Sequence, residues 1–372
     1  MADYKRQHYV PRCHFKPFSV DGNGDAINLF NFNRKKAVRC APVKGQCARD
    51  YMYGEDLILE KAFQRIEGAY ARVLRTIAAT PRALVQGDIE ILRLFAAIQH
   101  FRTDSAIRRT HQMSLGMESA MFERRPQSWV DHRPKIPDDR EIMHMTMRAG
   151  IQSCRVFNDL KACLVINRTK DDFITSDDPA IFTSRYYFQK IGHGNFGLAS
   201  AGAMLMLPLS AKHLILFYDG NVYMIPTKQG ECVCVDKTAD VFFFNELQYL
   251  KASKNVYFAN FSDARRVQQE FSQVEPNRPE RWFTISTFVQ DEHAPPDSER
   301  YRRVADDEQL ESRTALVAVS ARYPRPSRWY SGLRFRSKPR AYSNGSAIGY
   351  VRKPEWLTRE GFECDTGRKT QI

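Results

Sequence analysis

The sequence predicts an α+β fold: a helical N-terminal half packed on a mainly antiparallel sheet, with a basic C-terminal extension. Three observations carry this reading. Segments of helical period fill most of residues 55–156, and from Leu160 the apolar period shortens to two. Helices followed by strands, without a repeating strand–helix alternation, belong to an α+β chain and not to a parallel α/β one. After about Glu275 the periodicity fades and Pro, Arg and aromatic residues take over.

Each element follows from local pattern. The first fifty residues read as short extended pieces: His8-Tyr-Val-Pro11 opens the fold, Asp21-Gly-Asn-Gly-Asp25 is a turn, Ile27–Phe32 alternates as a strand and Arg34-Lys35-Lys36 turns again. Glu55 to Ala79 carries Ile58, Ala62, Ile66, Tyr70, Val73 and Ile77 at amphipathic spacing, and Pro81 ends that helix. A second helix is expected from Asp88 to about Met113, apolar on nearly every side around Ile89–Ile98 and therefore buried. Arg124 to Asp139 reads as a loop and Arg140–Val156 as a third helix. Ala162–Asn167 and Phe173–Thr175 suggest a hairpin across Thr169–Asp172. Met204–Leu207, His213–Tyr218 and Val222–Ile225 follow, the last two joined at Asp219-Gly220, a strong hairpin signal. Cys232–Val235, a helix over Ala239–Lys254 and a strand at Val256–Ala259 complete a core domain of residues 1–270. Residues 275–372 form a second, basic and aromatic-rich region.

Across 372 residues, 56 Lys and Arg outweigh 43 Asp and Glu for a net charge of +13. The excess is local. Between Ser312 and Pro354 stand Arg313, Arg322, Arg325, Arg328, Arg334, Arg336, Lys338, Arg340, Arg352 and Lys353, with no acidic residue. Trp329, Tyr330, Phe335 and Tyr342 are interleaved. Guanidinium groups neutralise phosphates and aromatic faces stack on unpaired bases, so Arg322, Arg325, Arg328, Trp329, Arg334, Arg336 and Arg340 are candidate nucleic-acid-binding residues. The plainer alternative is a solvated basic tail. No apolar run reaches the length of a membrane span, and the N-terminus lacks a signal-peptide core, so a cytoplasmic protein is expected. The eight cysteines form no CxxC pair and read as reduced, largely buried thiols. Cys232 and Cys234 share a strand face, for which buried packing is a simpler role than a metal pair.

Four pieces recur together in one family: His8-Tyr-Val-Pro11, Gln99-His-Phe-Arg-Thr103, Thr175-Ser-Asp-Asp-Pro179 and Leu207-Pro-Leu-Ser210. A fifth, Asn245-Glu-Leu-Gln248 followed by Val256-Tyr-Phe-Ala259, completes the set. Together they resemble the mostly bacterial domain-of-unknown-function family numbered 4238, over about residues 4–265. Some of its members resemble components of bacterial anti-phage defence loci. The resemblance therefore implies an effector acting on nucleic acid or a host factor, an analogy that fixes no chemistry.

The candidate catalytic residues are His8, Gln99, Arg102, Asp177 and Asp178. Ile91, Phe95, Gln99, Arg102 and Ala106 form one helical stripe that turns polar where the helix should still be buried. A buried guanidinium keeps its charge and needs an anion, and Asp177 and Asp178 are the natural partners. Two readings stay open. In one, Arg102 and an aspartate make a polar lock between helix and sheet. In the other, His8 is a general acid or base, Arg102 stabilises a phosphate-like transition state, and an aspartate orients His8 or binds a metal.

Weaker signals carry little. Gly192-His-Gly-Asn-Phe-Gly197 lacks the strand–helix context of a dinucleotide site. His100 points about 100° away from the stripe, and His111, His132 and His144 lack ligand spacing. Glu60 and Glu67 share a helix face, where solvated charges are a simpler reading than a carboxylate pair for a metal. No motif names a cofactor or metal. The leading expectation is a nucleic-acid-directed effector, an RNase-like hydrolase being its enzymatic form. The alternatives are an ADP-ribosyltransferase-like group-transfer toxin using His8, Tyr9 and Gln99, and a non-enzymatic sensor or binding protein whose protein partner is unspecified.

Overall fold

The computed structural model describes residues 5–55, 57–122, 137–227, 232–291, 301–305, 315–344, 348–353 and 363–365. The stretch expected as a loop lies largely outside them, as do His132 and Arg313. Seven α-helices are described: α1 (Arg12–Phe15), α2 (Ile58–Ala79), α3 (Gln86–Phe101), α4 (Asp104–Phe122), α5 (Asp139–Ser153), α6 (Thr238–Lys251) and α7 (Ala264–Val274). The strands run β1 (Arg6–His8), β2 (Ala26–Asn31), β3 (Lys36–Pro42), β4 (Ala48–Asp50), β5 (Lys161–Asn167), β6 (Thr175–Ser176), β7 (Ile181–Thr183), β8 (Met204–Pro208) and β9 (His213–Tyr218). They continue with β10 (Tyr223–Met224), β11 (Cys232–Val235), β12 (Asn255–Phe258), β13 (Phe283–Gln290), β14 (Tyr301–Arg303), β15 (Ala315–Ala321), β16 (Arg334–Phe335), β17 (Ala341–Ser343) and β18 (Glu363–Asp365). The mixed α+β class and the helical N-terminal half are as the sequence predicts.

The central sheet has the order β11-β5-β9-β8-β7, antiparallel except for the parallel β11–β5 pair. Its strands are apolar through their centres because both faces are covered. Leu164, Leu205, Leu207, Ile215 and Phe217 face Tyr70, Val73, Leu92 and Phe95 of α2 and α3. The alternate residues Cys163, Val165, Met204, Met206 and Leu216 face Val241, Phe244 and Leu247 of α6 and Val267 and Phe271 of α7. A second antiparallel sheet, β3-β2-β12-β6, lies beside α7. No helix among the described residues is long and apolar enough to cross a membrane.

Three local expectations are corrected. The long second helix is two, α3 and α4. Arg102 sits at the C-cap with φ −87° and ψ 0°, and the Thr103 hydroxyl accepts the Ala106 backbone N–H, capping the new helix. Ala106 therefore does not continue the stripe of Gln99 and Arg102. The expected hairpin across Thr169–Asp172 is a crossover between sheets: β5 pairs with β9 and β11, whereas β6 pairs with β12. The Asn167 side chain holds this turn through Asp171 and Thr169. At Asp219-Gly220 the chain also leaves the sheet, and β10 pairs with β16 of the C-terminal region. The Asp219 carboxylate accepts the N–H groups of Asn221 and Gly202, and Gly202 occupies a positive φ of 71° pressed against Tyr186. Side-chain capping therefore displaces the tight two-strand turn.

The C-terminal region is docked on this core. Tyr330, Leu333 and Ala341 are buried among the α6-side residues. The Glu246 carboxylate accepts the backbone N–H and hydroxyl of Ser327, and Asp240 does the same for Ser331. Arg352 is fully buried. It pairs with Asp159 at 3.0 Å and donates to the carbonyls of Val156, Leu198 and Ser200. Arg352 is thus one member of the basic cluster that serves the interior. Breaking a buried pair strands the remaining charge, so Arg352→Met is expected to cost about 3–5 kcal/mol in urea unfolding. A loss below about 0.5 kcal/mol, the range of ordinary surface changes, would show that the segment is not anchored there.

Candidate functional site

The end of α3 is clamped from two sides. On one side Arg102, 1% exposed, donates through Nη2 to Glu67 at 2.7 Å and to the His8 carbonyl at 2.8 Å. Its Nε donates to the Tyr53 hydroxyl, and its guanidinium lies 4.5 Å from the Phe63 ring centre. Gln99 donates to the Tyr9 carbonyl at 2.7 Å. The anion that Arg102 requires is therefore Glu67, neither Asp177 nor Asp178. Glu67 lies on the face of α2 that reads from sequence as solvated, and nothing local marks its distant partner.

On the other side Asp178, fully buried, accepts Arg109 at 2.7 Å, Lys251 at 2.9 Å and the Thr103 hydroxyl at 3.1 Å. Burial alone would raise its carboxyl, but the Arg109 and Lys251 cations outweigh this and hold it below its usual range. Lys251, 4% exposed, is pushed down to about 8 by burial, against the pull of Asp178. Asp177 serves a third set of contacts: its two oxygens accept the backbone N–H groups of Ser253, Lys254 and Asn255, fixing the turn between α6 and β12. Burial raises it to about 6 despite those three donors.

The five predicted residues are thus distributed over three contact sets. His8, Gln99 and Arg102 share one, with the His8 backbone, not its ring, facing Arg102. The His8 imidazole is lowered to about 4 by burial and by the Arg12 and Arg6 charges, so it is neutral at physiological pH. His14, which follows the opening motif, is the fully buried histidine here. Its ring nitrogens lie 2.9 Å from the Tyr70 hydroxyl and 2.8 Å from the Thr175 hydroxyl, tying α1 to α2 and β6. A run of Arg12-Cys-His-Phe15 gives no hint of this from sequence.

Two cavities flank the clamp. A polar one of about 460 Å³ is lined by Tyr9, Cys47, Asp104, Arg108, Asp177 and Tyr257 among others. Burial pushes Tyr9 and Cys47 upward, so both keep their protons at neutral pH. The other, about 190 Å³, lies over Arg109 and Lys251 and is walled by Phe101, Phe182, Trp282, Phe283 and Tyr323. The sequence marks neither Lys251 nor Arg109, and His100 is set aside there as lying off the stripe, because their common meeting point is purely tertiary. Among the described residues no group of three or more His, Cys, Asp or Glu side chains could hold a metal, and Cys232 is buried in strand β11.

The predicted nucleic-acid-binding residues fall in three places, and the six arginines are exposed. Arg325, Arg328, Trp329 and Arg334 lie around a π-helical turn at Tyr187–Ile191. Arg325 stands 5.6 Å over Phe188, Arg328 stands 6.0 Å over Phe242, and Phe188 packs against Trp329. Lys190 and Arg185 lie 5.5 and 4.9 Å over Phe335, next to Arg334. Arg336 and Arg340 hold the Gly220–Asn221 turn through its carbonyls. Arg322 borders the ring-walled cavity, donating to the Thr284 hydroxyl.

Burial lowers His14 to about 3, against 6.5 for an exposed imidazole. Below pH 6.5 the unfolded chain takes up a proton that the native state refuses, so this contribution is full above 6.5 and is lost as pH falls toward 3. His14→Gln is expected to reduce the pH dependence of unfolding free energy between pH 4 and 6 by about 1.4 kcal/mol per pH unit. Equal slopes for variant and parent would mean that His14 titrates normally in the fold.

A family model described as "Protein of unknown function (DUF4238)" matches residues 6–262. No curated protein and no solved structure matches the chain.

Proposed function

The chain belongs to the DUF4238 family, and we propose that it binds single-stranded nucleic acid on the surface around the π-helical turn. One observation carries the reading: the half-buried rings of Phe188, Trp329 and Phe335 are interleaved with Arg185, Lys190, Arg325 and Arg328 on a docked surface. The nearest carboxylates on α6, Glu246 and Asp240, are already engaged by Ser327 and Ser331. The cations supply phosphate neutralisation, and the ring faces supply stacking for unpaired bases. Cations held over rings are positioned before a strand arrives, which lowers the ordering cost of binding.

His8, Gln99, Arg102, Asp177 and Asp178 do not converge on a common point, which supports binding over hydrolysis. Group transfer through His8, Tyr9 and Gln99 finds no more support: among the described residues Gln99 donates to the Tyr9 backbone carbonyl, and the Tyr9 phenol stays protonated. The defence setting implied by the family resemblance would make phage or host nucleic acid the partner.

Fluorescence anisotropy with a labelled oligouridylate of about twelve nucleotides tests the reading. Affinity is expected to fall steeply between about 50 and 200 mM salt. The triple variant Lys190→Glu, Arg325→Glu, Arg328→Glu should weaken binding at least about tenfold and flatten the salt slope by about three units. Salt-independent binding, or a variant that binds as well as the parent, contradicts it.

A further inference from the structure

The ring-walled cavity lies between the family region and the C-terminal region, and it combines two chemistries. Five aromatic residues, Phe101, Phe182, Trp282, Phe283 and Tyr323, line it. Its floor is cationic. Arg109 and Lys251 share the single carboxylate of Asp178, and His100 is held neutral, down to about 3, by burial and by Lys251. The Arg109 guanidinium stands 5.3 Å from the Trp282 ring centre and uses Nη1 for Asp178 and Ser105. Its Nε and Nη2 make no hydrogen bond to a described residue. Arg322 adds an exposed cation beside the opening. Thr110 and Thr146 also line the space, and their hydroxyls offer acceptor lone pairs.

Size narrows the ligand. An apolar cavity of about 150 Å³ holds a benzene ring, and this one has about 190 Å³. It therefore suits a planar ring system with a polar edge, and its uncompensated positive charge calls for an attached anion. An apolar ligand would leave Arg109 and Lys251 with one carboxylate between them in a water-poor site. The wall residues Arg322, Tyr323 and Pro324 run directly into Arg325 of the surface described above, which joins the cavity to that surface along the chain.

We propose that this cavity takes one nucleotide, its base among the five rings and its phosphate at Arg109 and Arg322. The nucleotide is either free or one unit of the bound strand. The strand source rests on the binding reading above; the free source does not.

The test uses the full chain and two probes: adenosine 5′-monophosphate by calorimetry, and an oligoadenylate carrying 2-aminopurine by emission. Thr110→Phe fills the cavity while keeping every charge, and Arg322→Glu reverses an exposed cation without touching the floor. Melting temperature checks that both fold. Saturable binding of adenosine 5′-monophosphate, weakened at least about tenfold by both variants, supports the free source. Quenched 2-aminopurine in the parent and restored emission in Thr110→Phe support the strand source. If the strand binds with salt dependence but emission and affinity ignore Thr110→Phe, and the monophosphate does not bind, the cavity proposal falls while the surface reading stands. If the monophosphate binds and the strand does not, the surface reading falls and the cavity stands with its free ligand. If neither binds, both fall.

Discussion

A single buried carboxylate organises the centre of this molecule. Asp178 has no access to water and meets Arg109 of α4, Lys251 of α6 and Thr103 at the α3–α4 junction. In a low-dielectric interior each of these groups would be costly alone, and the shared carboxylate offsets part of that cost for both cations. The junction that Asp178 holds is also gripped from behind, where Arg102 reaches Glu67 and the His8 carbonyl. Within Gln99 to Thr103, Gln99 and Arg102 therefore serve one polar network, and His100 and Thr103 serve the other. The sharp break between α3 and α4 is fixed by those networks and by the Thr103 cap.

The outer surface inherits its geometry from this knot. Arg109, held by Asp178, lies over Trp282. Trp282 adjoins β13, whose partner β15 leads to Arg322 and Tyr323, and Pro324 accepts the Thr183 hydroxyl through its carbonyl. The chain then passes into Arg325 and Trp329. A basic segment that composition alone would allow to be a solvated tail is thus supported step by step from the interior. Its arginines divide by environment: Arg352 compensates Asp159 inside, while Arg325 and Arg328 stand over rings at the surface.

What could be read in the sequence was whatever local pattern decides. The apolar runs around Leu164, Leu205 and Ile215 mark strands because both sheet faces are buried, and the amphipathic spacing of α2 follows from one covered side. The break at Arg102-Thr103 is hidden because both flanking segments keep helical composition, and a threonine cap looks like any helix residue. The Asp219-Gly220 pair signals a hairpin, but the Asp219 carboxylate finds Gly202 and Asn221 and the following strand is captured by β16. For the site, the need of Arg102 for an anion was legible and its identity was not, since Glu67 is remote in sequence. The Asp178–Lys251–Arg109 set unites residues from three elements, which no spacing rule connects.

A double-mutant cycle on Asp178→Asn and Lys251→Met tests the organising role of this carboxylate most directly, using urea unfolding of the two single variants, the double variant and the parent. If the buried charges depend on each other, each single change strands a partner and the double variant recovers part of the loss. The coupling energy should then be about 2–3 kcal/mol, at the upper end for contacting residues. Losses that add to within about 0.5 kcal/mol, as for independent sites, would contradict it: Asp178 would then be one polar contact among many, and the chain of support running to Arg325 would need another foundation.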